Sequence, residues 1–66
     1  MKNQIVKLLA DNPRGLRSRT ISYTLGINFF HLLDLLDEMQ TEGILCRASY
    51  VDFANAENYI LWKVNS

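Results

Sequence analysis

The feature that most constrains this chain is a change in the spacing of its apolar residues at Gly43. Before it, apolar side chains recur at steps of three and four, the period of an amphipathic helix. After it the chain turns rich in β-branched and aromatic residues, and from Tyr59 to Val64 the side chains alternate, the period of a strand. Two strands alone make a hairpin of marginal stability, so the second part must lie against the helices of the first. An α+β domain follows, with helices first and one hairpin after them. At 66 residues the chain has room for one domain over 1–66, complete in itself, with a modest core and no deep cleft.

The punctuation divides the helical part into three. A first helix is expected from Asn3 to Asp11, with Ile5, Leu8 and Leu9 in one stripe. Asn12-Pro13 ends it, because the residue before proline is driven from the α region, and Arg14-Gly15 supplies a turn. A second helix starts at Ser18 or Arg17, carries Ile21 and Leu25 on one face and stops at Gly26. Asn28 is placed to cap a third, running to about Glu42, whose Leu32, Leu35, Leu36 and Met39 form a core-facing stripe. Ile44 to Phe53 and Tyr59 to Val64 read as strands, with residues 54–58 as the turn.

Several chemistries lack their residues. One histidine and one cysteine cannot make a standard zinc set or an intrachain disulfide. No metal, cofactor or catalytic constellation is expected, and the chain is not read as an enzyme. No apolar run approaches the roughly 20 residues of a membrane span. Met1-Lys2-Asn3-Gln4 lacks the apolar core of a signal peptide, so a cytoplasmic protein is expected. The net charge is zero but polarised. Residues 1–27 carry five cations against one anion, a net +4, and residues 28–45 carry four carboxylates and no cation, a net −4.

The stretch Ile21-x-x-x-Leu25-Gly26-Ile27-Asn28, continued by Leu32-x-x-Leu35-Leu36-x-x-Met39-x-x-x-Gly43-Ile44-Leu45-x-Arg47, resembles the helix-turn-helix of bacterial winged-helix transcriptional regulators. Gly26 would make the tight turn between crossed helices and Ile27 would plug it. The opening Met1-Lys2-Asn3-x-Ile5 and the late Tyr59-Ile60-Leu61-Trp62 are similar to the short regulators of pap-type fimbrial operons. The resemblance implies a winged helix-turn-helix fold, three helices and a two-stranded wing, and a regulator of transcription that binds duplex DNA as a dimer or with a larger helper protein. It also implies that Asn28, Phe29, Phe30 and His31 face bases, with Leu33 and Asp34 behind them. Arg17 and Arg19 would meet phosphate, Arg14 lies close in sequence, and Lys63 or Arg47 could add a contact from the wing.

The third helix departs from that pattern. Opposite its core stripe stand Phe30, Leu33, Asp34, Asp37 and Thr41, where a DNA-reading helix ordinarily shows Arg, Lys, Asn, Gln or Ser. Carboxylates beside a phosphate backbone cost affinity. A second reading therefore stands beside the first: a protein-interaction module that uses Phe30, Leu33, Asp34 and Asp37 as an apolar and acidic patch, for a basic partner or a second copy.

Plain structural readings accompany each residue. His31 is either a base reader or a surface side chain, and the arginines are phosphate contacts or a solvated turn. Phe29 could touch a thymine methyl, but its place on the helix leans toward the core edge. Phe30 and Leu33 form a patch unless the hairpin or the N-terminus folds over them. Asp34, Asp37, Glu38 and Glu42 read as a solvated face with mild repulsion between Asp34 and Glu38 and between Glu38 and Glu42. Cys46, Tyr59 and Trp62 read as packing residues.

Overall fold

Three α-helices precede one antiparallel hairpin in the computed structural model, which describes residues 1–65 of the expected domain; Ser66 lies outside the described residues. The helices are α1 (Lys2–Ala10), α2 (Ser18–Leu25) and α3 (Phe29–Thr41). The strands β1 (Leu45–Asp52) and β2 (Glu57–Val64) pair from Leu45 opposite Val64 to Asp52 opposite Glu57. β2 starts two residues before the expected Tyr59, because Glu57 and Asn58 continue the ladder against Asp52 and Val51. Among the described residues no helix is long and apolar enough to cross a membrane.

The apolar stripes of all three helices meet the hairpin. Ile5 and Leu9 of α1, Ile21 of α2, and Leu32, Leu36 and Met39 of α3 are buried together with Ile27, Leu45 and Trp62. Each such aliphatic side chain contributes about 1.5–3 kcal/mol by leaving water. Leu8, expected in the stripe, is only partly buried against this cluster.

The turn between α2 and α3 is held at several points. Gly26 takes a left-handed conformation (φ 67°, ψ 32°), a region where a side chain costs energy. The Ser22 carbonyl accepts from the Gly26 and Ile27 N–H groups, and the Ser22 hydroxyl donates to the Ile27 carbonyl at 2.6 Å. Ile27 is 8% exposed beneath the turn, so the crossing of the two helices is fixed by backbone and packing together.

Tertiary contacts add to two of the expectations. The segment around Gly15 is more than a turn, because Leu16 forms an antiparallel bridge to Trp62 on the outer edge of β2. Leu16 N–H donates to the Trp62 carbonyl at 3.0 Å and Trp62 N–H to the Leu16 carbonyl at 2.8 Å. Gly15 (φ +95°) makes this approach possible, since a Cβ there would lie 2.9 Å from the Trp62 carbonyl oxygen. The acidic face of α3 is also not simply solvated. Lys2 Nζ donates to Glu38 at 2.6 Å and to Glu42 at 3.1 Å, and so offsets the repulsion between those two carboxylates. These hydrogen bonds, that to Glu38 foremost, hold the Lys2 ammonium above its ordinary pKa.

Candidate functional site

The exposed residues of interest gather where α2 begins, α3 begins and the hairpin rises beside them. Arg17 holds the N-cap position of α2 in an extended conformation, so the helix boundary falls on the arginine and Ser18 is its first residue. No side chain caps α2. Arg19 lies in its first turn.

Both guanidinium groups lie over aromatic rings. Arg17 Cζ is 4.7 Å from the centroid of Tyr59 on β2, and Arg19 Cζ is 5.5 Å from the centroid of Phe29 at the start of α3. Such contacts contribute about 0.5–1 kcal/mol at exposed sites, and they also limit the rotamers of a long side chain. Tyr59 is stacked in turn on Tyr50 of β1, with centroids 5.5 Å apart and planes inclined by 18°. Among the described residues the ion pairs are those of Lys2, so neither arginine is neutralised by a carboxylate within 4 Å.

The first turn of α3 is built by Asn28. Its Oδ1 accepts the N–H of Phe30 at 3.0 Å and that of His31 at 3.2 Å, satisfying two donors that a helix start otherwise leaves free. The Asn28 carbonyl is thereby committed to the cap, and of its side-chain groups the amide Nδ2 is left for other partners. Phe29 is half-buried at the core edge, as its helix position implied, and Phe30 meets it edge to face at 5.7 Å and 69°. Phe30 itself is 74% exposed. Neither the hairpin nor the N-terminus covers it. His31, Asp34 and Asp37 are exposed and Leu33 is at 36%, so the face opposite the core stripe is open.

Two concavities flank the pair formed by Arg19 and Phe29. One, of about 580 Å³, runs between the start of α2 and the hairpin and is lined by Arg17, Ser18, Arg19, Phe29, Tyr50 and Tyr59 among others. The other, of about 700 Å³, lies on the far side between Arg19, Tyr23, Phe29 and Phe30. Tyr23, 91% exposed, was not a candidate from sequence; its position flanking the buried face of α2 gave no sign that it would border a groove.

Not every expected cation reaches this region. Arg14 is exposed on the turn before Gly15 and lines neither groove. Arg47 and Lys63 pair opposite Trp62 and Cys46, in the half of the hairpin away from its tip, and line neither groove either. The tip presents Phe53, 91% exposed, and a turn in which Asp52 accepts from the Ala54 N–H and the Asn55 amide, both at 3.0 Å. The positive charge of the region therefore rests on Arg17 and Arg19. Among the described residues no cluster of His, Cys, Asp or Glu is placed to hold a metal ion. Comparison with family models, with curated proteins and with solved structures gives no match to this chain.

Proposed function

We propose that the chain is a small winged-helix regulator of transcription that binds duplex DNA through the start of α3, with Arg17 and Arg19 on the flanking phosphates and the hairpin as its wing. One observation carries the reading: two arginines without carboxylate partners among the described residues, each laid on an aromatic ring, border an uncovered helix start whose first N–H groups are capped by Asn28. Held cations lose less freedom on meeting phosphate than free ones. Two phosphate contacts per chain support only modest affinity, which favours action as a dimer or beside a larger DNA-binding partner.

The test is a titration of isotope-labelled protein with a mixed-sequence duplex at low salt. Amide shifts at Arg17, Arg19 and residues 28–31 that fade as salt rises are expected. The double substitution Arg17→Ala, Arg19→Ala should weaken binding to all sequences and flatten the log–log salt dependence by about 2. Unchanged affinity in that variant refutes the reading.

A second reading has its own support in the exposure of Phe30 and Tyr23 around one concavity, with Asp34 and Asp37 on the exposed surface of α3. Under it the face binds a basic protein or a second copy. Phe30→Asp then abolishes that association and leaves the fold intact, while duplex DNA produces no shifts even at millimolar concentration.

A further inference from the structure

Phe30 is an exposed phenyl ring that the chain holds in place. It is 74% exposed, yet its N–H is fixed by Asn28 and its ring rests edge-on against Phe29. Arg19 lies on that same Phe29 ring, so a cation stands one ring away from the apolar tip. The exposed surface of α3 beyond it offers His31, Leu33, Asp34 and Asp37. Of the side chains that read base edges by paired hydrogen bonds, Arg and Lys are absent from α3, its one glutamine, Gln40, is half-buried in the last turn, and Asn28 spends its carbonyl on the cap.

The major groove has one apolar feature, the C5-methyl group of thymine, and it lies between two phosphate backbones. An apolar tip one ring away from an arginine that has no carboxylate partner among the described residues complements that combination in both polarity and charge. An apolar protein surface docked on Phe30 would leave the arginines without a counterpart. We infer that Phe30 is the specificity-determining residue of α3 and reads pyrimidine C5-methyl groups in the major groove. This rests on the DNA-binding reading above. It replaces hydrogen-bonded readout, for which α3 is poorly equipped, with readout of a methyl group.

The test uses the full chain and four labelled duplexes of equal length, followed by fluorescence anisotropy at low salt. They are alternating A·T, the same duplex with uracil for thymine, alternating G·C, and the same duplex with 5-methylcytosine. Within each pair only the C5-methyl differs. Wild-type protein is expected to bind the methylated member more tightly, by about fourfold for each methyl buried. Phe30→Ala brings both ratios to one and leaves the salt dependence, which belongs to Arg17 and Arg19. Phe30→Leu keeps part of the preference. Circular dichroism and urea midpoints check the fold, and the leucine variant decides should the alanine variant unfold.

Equal wild-type affinity for methylated and unmethylated duplexes overturns the inference while DNA binding stands. A preference that survives Phe30→Ala overturns it too, because another side chain is then the reader. Lack of salt-sensitive binding to all four duplexes overturns the DNA reading itself, and this inference with it.

Discussion

Replacing Gly15 by alanine tests whether the bridge between Leu16 and Trp62 is what seats the start of α2. Two costs add. A side chain at φ +95° is strained by about 1–2 kcal/mol. The new Cβ would also lie 2.8 Å from Lys63 Cγ, 2.9 Å from the Trp62 carbonyl oxygen and 3.0 Å from Leu61 Cβ. The lysine stem can swing away, but the carbonyl cannot without moving β2. That carbonyl is the acceptor for the Leu16 N–H, so relief of the clash strains both bridge hydrogen bonds, each contributing about 1 kcal/mol. The expected loss is about 2–4 kcal/mol. A domain of this length has about 3–10 kcal/mol in all, so the variant is seriously weakened.

Gly26 provides the control. It also has positive φ (+67°), but nothing lies within 4 Å of a Cβ built there. Gly26→Ala therefore carries the strain and the same change in unfolded-chain entropy, without the collision. Urea unfolding read by Trp62, the sole tryptophan and 7% exposed, compares the two. Gly15→Ala should fall below Gly26→Ala by about 1–2 kcal/mol, and the Leu16 and Trp62 amides should lose protection from hydrogen exchange. Equal destabilisation by the two substitutions refutes the argument, since the close approach would then carry no energy.

Asn28→Ala should cost about 1 kcal/mol in urea unfolding through loss of the α3 cap, and Asn28→Asp should keep the cap while weakening the proposed DNA binding, because it adds a carboxylate at the helix start. Because the Lys2 pKa is raised in the folded chain, its ion pairs contribute stability that is present below the ordinary lysine value of 10.5 and is lost as pH rises through the higher folded value. NMR titration of the Lys2 side chain measures the direction, and Lys2→Met should lower the melting temperature at low salt but much less in molar salt. Ala56 at the hairpin tip has φ +54°, so Ala56→Gly should stabilise the fold by about 0.5–1 kcal/mol, seen as a rise of several degrees in a thermal melt.

The order of elements was legible because each is signalled locally. Period 3.6 before Gly43, and strand-forming composition with a late alternation after it, need no knowledge of the rest of the chain, and the Asn28 cap lies next to the helix that it caps. What was hidden depends on distant residues. The Leu16 bridge is a single pairing and has no periodicity; its one local trace is a glycine just before an apolar residue in a short connection. Lys2 meets carboxylates 36 and 40 residues away, so the crowding of acids on α3 was visible and its partner was not. Within the site, Arg17, Arg19 and residues 28–31 come together because two consecutive helices joined by a tight turn carry them. Arg14, Arg47 and Lys63 have the right charge, but the turn before Gly15 and the hairpin register put them elsewhere. The support of Arg17 by Tyr59 crosses from helix to hairpin, and spacing along the chain does not encode it.

The distribution of charge along α3 bears on the proposal that so small a surface binds a polyanion. All four carboxylates of residues 28–45 begin at Asp34, after the first turn of the helix, and Lys2 ties Glu38 and Glu42 to α1. Asp34 and Asp37 remain, exposed and, among the described residues, without a cation within 4 Å. The helix is thus divided: a start flanked by two supported arginines, and a middle that repels phosphate. A duplex can approach the start, whereas laying the whole helix along the groove would bring Asp34 and Asp37 toward the backbone. At a separation of several Å that repulsion offsets what the arginines gain. An end-on approach by the first turn reaches few base pairs, and few base pairs give little specificity to one copy. On the proposed DNA reading, the same division that leaves the helix start open to a duplex makes a lone chain an insufficient reader, and this is the physical reason to look for a second copy or a helper beside it.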